Sequence, residues 1–215
     1  MLEENFLVQQ YVHKKKSAAQ IGVLCKCSPN KVTYWLQKYN IQKRSISDAV
    51  YVHSNPDGDP FEFNRPKNNN EWFLYGLGLG LFWGEGNKVN KNSVRLGNTD
   101  IDLIRCFLFF LKQVYKIDEN KLRFGLQLFS DISPERALMY WSGSLGVSRK
   151  QFQKVVVTKS VQKGTYKRKS EFGVLTVYFS NTKLRDSIIS AITELRQQKE
   201  AILAQSVERI HGKSH

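Results

Sequence analysis

The sequence predicts an α+β chain of two units: an all-α segment at the N-terminus and a mixed helix and strand domain behind it. Three observations carry this. Two helix-start signals, Ser17-Ala18-Ala19-Gln20 and Ser28-Pro29, each precede apolar residues at helical spacing. A stretch rich in Pro, Gly and Asn, from Ser54 to Asn70, breaks both helices and strands. Beyond it, an alternating segment at 122–129 stands among segments of helical period. With 215 residues there is room for two modest domains. The expected division is a first domain over 1–50, a linker over 51–70 and a second domain over 71–215.

In the first domain, Ser17 and Gln20 form a capping box, each side chain satisfying a free backbone donor of the other. Ile21 and Leu24 follow on one face. At Ser28-Pro29 an N-cap precedes a proline whose missing N–H is no loss at the first helical position. Val32, Trp35 and Leu36 then recur at spacings of three and four, the mark of one buried stripe. Asn30, Lys31, Thr33, Tyr34, Gln37 and Lys38 are left facing out. A short helix, a turn through Lys26-Cys27 and a second helix with that outer face suit the DNA major groove, because such side chains reach base edges and phosphates. The stretch resembles the helix-turn-helix of resolvase-like and regulator families, which implies double-stranded DNA as the partner.

After the linker comes Phe73-Leu-Tyr-Gly-Leu-Gly-Leu-Gly-Leu-Phe-Trp-Gly-Glu-Gly86, apolar enough for a buried helix yet carrying Gly76, Gly78, Gly80 and Gly84. Each glycine inside a helix costs about 1 kcal/mol against Ala. Gly76, Gly80 and Gly84 recur every fourth residue and so share one side, where a second helix backbone can approach closely. Glu85 is the only carboxylate between Glu71 and Asp100. Next are expected a polar hairpin and strand over 88–97, a helix over 99–114, and a strand over 122–129 with Arg123 and Gln127 on its polar face. A helix near 134–145, strands near 152–158 and 172–179, and a helix from Asn181-Thr182 follow.

Gly80-Leu81-Phe82-Trp83-Gly84-Glu85-Gly86 resembles the LAGLIDADG motif of homing endonucleases, with Gly78 and Leu79 in place of its leading Leu-Ala, Trp83 for its first Asp and Glu85 for its second. The element order matches that family's αββαββα domain apart from the helix near 134–145. The resemblance implies a saddle-shaped antiparallel sheet whose polar face lies on DNA, with Arg95, Arg123 and Gln127 projecting from it. It further implies that Lys154, Lys163, Lys167, Arg168 and Lys169 reach phosphates. A single glycine motif implies a C2 homodimer through Gly76, Gly80 and Gly84. On the same resemblance Glu85 holds Mg²⁺ or Mn²⁺ for phosphodiester cleavage, the Gly84 carbonyl is a second ligand, and Gln127 and Lys159 orient water. Two further readings share the surface. Bacterial sporulation regulators join a similar fold to a helix-turn-helix without the metal-binding acids, and a splicing maturase would set the same surface on intron RNA.

Charge agrees with a polyanionic partner: 33 Lys and Arg stand against 19 Asp and Glu, a net +14. The excess is concentrated where acids are missing, from Asn5 to Ser47 and from Arg149 to Lys169. No apolar run approaches the roughly 18 residues of a membrane span, and the first residues lack the cationic start of a secretory signal. A cytoplasmic, nucleoid-associated location is expected. Cys25, Cys27 and Cys106 have no zinc spacing and are expected as small core residues.

Overall fold

The structure, a computed structural model, describes residues 1–159 and 170–211. It divides into two compact units, Met1–Pro60 and Phe61–His215.

In the first unit α1 (Glu4–Leu7) continues as a π-helical turn (Val8–His13), followed by α2 (Ala18–Leu24), α3 (Pro29–Lys38) and α4 (Ile46–Ser54). The capping signals act as expected. Ser17 Oγ accepts from the Gln20 N–H at 3.2 Å, the Gln20 side chain accepts from the Ser17 N–H at 2.8 Å, and Ser28 Oγ accepts from the Lys31 N–H at 3.3 Å. The turn between α2 and α3 is tight enough that a Cβ on Gly22 would stand 2.7 Å from the Cys27 carbonyl oxygen, so glycine is required there. Leu7, Tyr11, Ile21, Val32 and Leu36 form the core. The first two, four residues apart, come from α1 and from the π-helical turn that continues it. Leu24, expected inside, is 54% exposed. Trp35 is half-buried, stacked on Tyr39 with the Lys38 ammonium 4.7 Å from its ring.

In the second unit the order is α5 (Asn69–Glu85), β1 (Val94–Asn98), α6 (Ile101–Val114), β2 (Leu122–Phe129), α7 (Pro134–Leu145), β3 (Val156–Thr158), β4 (Val174–Phe179) and α8 (Thr182–His211). The sheet order is β1-β4-β2-β3. Alternation puts Val94 and Leu96, Leu122, Phe124, Leu126 and Leu128, and Leu175, Val177 and Phe179 on its inner face. These pack with Leu79 and Phe82 of α5, Phe107, Phe110 and Leu111 of α6, and Leu184 and Ile188 of α8.

Four expectations need correction. The sheet is mixed, because β3 runs parallel to β2 while β4 is antiparallel to both β1 and β2. The helix α7 is the reason: a helical crossover returns the chain in the original direction, which a tight turn does not allow. That helix also belongs to the core, since Trp141 is fully buried and its indole N–H donates to the Phe172 carbonyl at 2.9 Å. The polar hairpin is reduced to one bridge, Gly86 to Leu96, because the Asn87 and Asn90 side chains take up the N–H groups of Val89, Asn90 and Asn92 that a strand would need. The expected linker is partly structured. It begins inside α4, and Glu62 and Asn64 donate their N–H groups to the Tyr115 and Val114 carbonyls left free at the end of α6. The three cysteines are half-buried and unpaired, short of the full burial expected.

Candidate nucleic-acid interface

Helix α3 presents its outer face as the sequence implies. Asn30, Lys31, Tyr34, Gln37 and Lys38 are exposed and Thr33 is half-buried. The face is held in register from below by Val32 and Leu36, and its C-terminal half by the ring contacts of Tyr34 and Tyr39 with Trp35. Arg44 falls within the acid-free run but is a structural cation. It stacks on the Tyr11 ring at 4.3 Å and donates to the Lys15 and Lys16 carbonyls at 2.8 and 2.6 Å.

The open face of the sheet carries Arg95 and Gly97 of β1, Val174, Thr176 and Tyr178 of β4, and Arg123, Gly125 and Gln127 of β2, since paired residues share a face. Arg95 is preorganised: its Nε donates to Ser93 Oγ at 2.7 Å and its guanidinium sits 5.2 Å from the Tyr178 ring centroid. Arg123 is exposed, but its guanidinium turns back to donate to the Asn120 and Leu122 carbonyls at 2.6 and 2.7 Å. Gln127 is exposed beside Val156, and Lys154 and Lys159 are exposed at the two ends of β3. Lys163, Lys167, Arg168 and Lys169 lie outside the described residues.

Glu85 ends α5, exposed, and with Asn87, Lys88, Arg95, Thr176 and Tyr178 it lines a cavity of about 560 Å³ on the open side of the sheet. The expected helpers are elsewhere. Gly86 borders β1 on the side away from β4, so β2 and β3 lie three and four strand spacings from it, roughly 14 and 19 Å at about 4.8 Å each. Gln127 and Lys159 therefore do not meet Glu85 within one protomer.

The Gly84 carbonyl is not free. Lys88 Nζ donates to it at 3.3 Å and to the Trp83 carbonyl at 2.7 Å, an ammonium closing a helix C-terminus. Among the described residues no group of three His, Cys, Asp or Glu side chains could hold a metal ion. One carboxylate beside a carbonyl already engaged by an ammonium does not fit a divalent cation in the protomer as it stands.

Gly76, Gly80 and Gly84 line an open side of α5, where an added Cβ would meet nothing within 4 Å. Phe73, 71% exposed, and Leu77, 37% exposed, stand on the same apolar side. Gly78 faces inward, with the Phe110 ring lying directly on it.

Sequence reading did not single out Lys88, Ser93, Thr176 or Tyr178. Tyr178 and Thr176 had a usable signal, because both alternate with buried residues in 174–179. Lys88 had none, since its role depends on how the chain leaves α5. Among the described residues no helix is long and apolar enough to cross a membrane. Comparison with family models, with curated proteins and with solved structures gives no match to the chain.

Proposed function

We propose that the chain binds double-stranded DNA in a sequence-reading manner. The observation that carries this reading is α3, a capped helix behind a tight turn, with Asn30, Lys31, Tyr34, Gln37 and Lys38 on its open face. Lys31 and Lys38 would contact phosphates while Asn30 and Gln37 read base edges. In the second unit Arg95, held over Tyr178, and the exposed Gln127 supply a further polar surface, to which Lys154 and Arg123 add charge. Arg123 would have to exchange its backbone carbonyls for phosphate.

The protein acts as a homodimer in this reading. The glycine side of α5 is apolar, uncovered and without side chains at three positions, which suits a second copy of the same helix crossing closely at a two-fold axis.

A second reading, a LAGLIDADG-type endonuclease using Mg²⁺ or Mn²⁺, rests on the exposed Glu85 at the end of that glycine side. Two copies would bring two Glu85 carboxylates to the axis, and Lys88 would have to leave the Gly84 carbonyl. The engaged carbonyl and the distance of Gln127 and Lys159 favour binding without cleavage, as in a regulator.

The test is selection of bound duplexes from a randomised pool by the full chain, followed by incubation of the recovered sequence with Mg²⁺. Recovery of a consensus that wild type leaves uncut supports the regulator. Cutting by wild type but not by Glu85→Gln establishes the nuclease, and the variant should retain DNA affinity because only a carboxylate charge is removed. Failure to enrich any duplex refutes DNA recognition.

A further inference from the structure

A second concavity lies on the other side of Lys88, between the end of α5 and the first turns of α8. It is lined by Trp83, Lys88, Arg185, Ile189, Ile192, Thr193 and Arg196 and measures about 270 Å³. Its floor is apolar, and among the described residues its rim carries three cations and no carboxylate. Arg196 holds its guanidinium 4.9 Å from the Trp83 ring centroid. Lys88 is fixed by the Trp83 and Gly84 carbonyls. Arg185, whose side chain is only 14% exposed, is fixed by Asp186 at 2.9 Å and by the Lys88 carbonyl at 2.8 Å, and its buried Nε has no hydrogen-bond partner.

These facts describe a built site. Arg185 is largely buried and the exposed Lys88 and Arg196 stand beside it, so the three like charges repel one another and an anion among them would relieve that repulsion. Among the described residues Asp186 is the carboxylate paired with these cations, so the rim keeps an excess of positive charge. A phosphomonoester or a pyrophosphate group carries more negative charge near neutral pH than the single charge of a DNA phosphodiester, and so answers this excess better. The volume, just under the roughly 300–1,000 Å³ of pockets for drug-sized ligands, admits a phosphate with a small group attached. Trp83 offers that group a flat face.

We infer that the cavity between α5 and α8 binds a small phosphorylated compound, a phosphomonoester or pyrophosphate, through Arg185, Arg196 and Lys88. It adjoins the DNA-facing cavity through Lys88, which lines both, so an anion drawn to Lys88 would act on the end of α5 beside Glu85. Binding itself does not depend on the DNA-binding reading.

The test is calorimetric titration of the full chain with inorganic pyrophosphate in phosphate-free buffer. Wild type should bind one equivalent per chain with a dissociation constant below about 1 mM. Arg196→Gln, at an exposed position that should leave the fold intact by circular dichroism, should weaken binding by about tenfold or more, since a charge-assisted contact is lost. Lys150→Gln removes the same charge outside the cavity and should change nothing. No saturable binding by wild type overturns the proposal, and so does equal weakening in the two variants, which would mean bulk attraction to a basic protein. Duplex affinity of Arg196→Gln identifies the source of the phosphate. It should be unchanged, whereas a weakened duplex with pyrophosphate binding intact would assign the cavity to the DNA backbone and overturn the small-molecule proposal. A chain that binds pyrophosphate but no duplex refutes only the DNA-binding reading.

Discussion

Gly78 and Gly80 stand two positions apart on α5 and differ in what a methyl group would meet. At Gly78 it would stand 2.1 Å from the Phe110 ring, in a core with no slack, whereas at Gly80 it would meet nothing within 4 Å. Overpacking costs typically 1–3 kcal/mol, while replacing a helical glycine by alanine returns about 1 kcal/mol. Gly78→Ala should therefore lower the unfolding free energy, by up to roughly 2 kcal/mol net. Gly80→Ala should raise that of the isolated protomer by up to about 1 kcal/mol. Urea denaturation of both variants at low protein concentration checks the pair, and equal effects would mean that the helix does not pack by this face. The glycines were visible in the sequence, and so was the stripe of three that share a side. Their surroundings were not, because which glycine touches α6 depends on the helix rotation that Leu79 and Phe82 set. Polar residues were harder still. Arg44 and Arg123 look like free cations in the sequence, yet both spend their donors on backbone carbonyls of their own unit. A charge run does not reveal which carbonyls the fold leaves unpaired nearby.

Elements with local determinants were legible and those with distant ones were not. Helices α2 and α3 follow from Ser17, Gln20, Ser28 and Pro29, all within four residues of the turns they start. Strand β2 follows from strict alternation. The parallel pairing of β3 with β2 had no local signal, since it depends on the path of the chain through α7, and the polar hairpin failed because Asn87 and Asn90 offered the backbone closer partners. The proposed pairing of α5 with a second copy belongs to this scale. Gly80→Leu improves helix propensity by nearly 1 kcal/mol, but it fills the open side where a partner backbone would cross. In sedimentation equilibrium wild type should be a dimer and Gly80→Leu a folded monomer. A variant that remains a dimer would show that another surface holds the copies together and would separate the two Glu85 carboxylates from any shared site.

For the whole molecule, a net charge of +14 distributed in acid-free runs gives an electrostatic prediction that does not depend on which bases are read. Each phosphate neutralised on a duplex releases about 0.9 counterions, so log affinity should fall steeply and linearly with log salt concentration. The surfaces contribute separately. Lys31 and Lys38 lie on the open face of α3, whereas Arg44 is already paired, so the α3 share of the slope belongs to the two lysines. The measurement is fluorescence anisotropy of a labelled duplex titrated with the full chain over a range of salt, for wild type and for Lys31→Ala/Lys38→Ala. Wild type should bind with a slope of about −4 or steeper, and the double variant should bind more weakly with a slope shallower by up to about 2. No binding by wild type at low salt, or a double variant indistinguishable from it in affinity and slope, would contradict the assignment of α3 as the DNA-reading element.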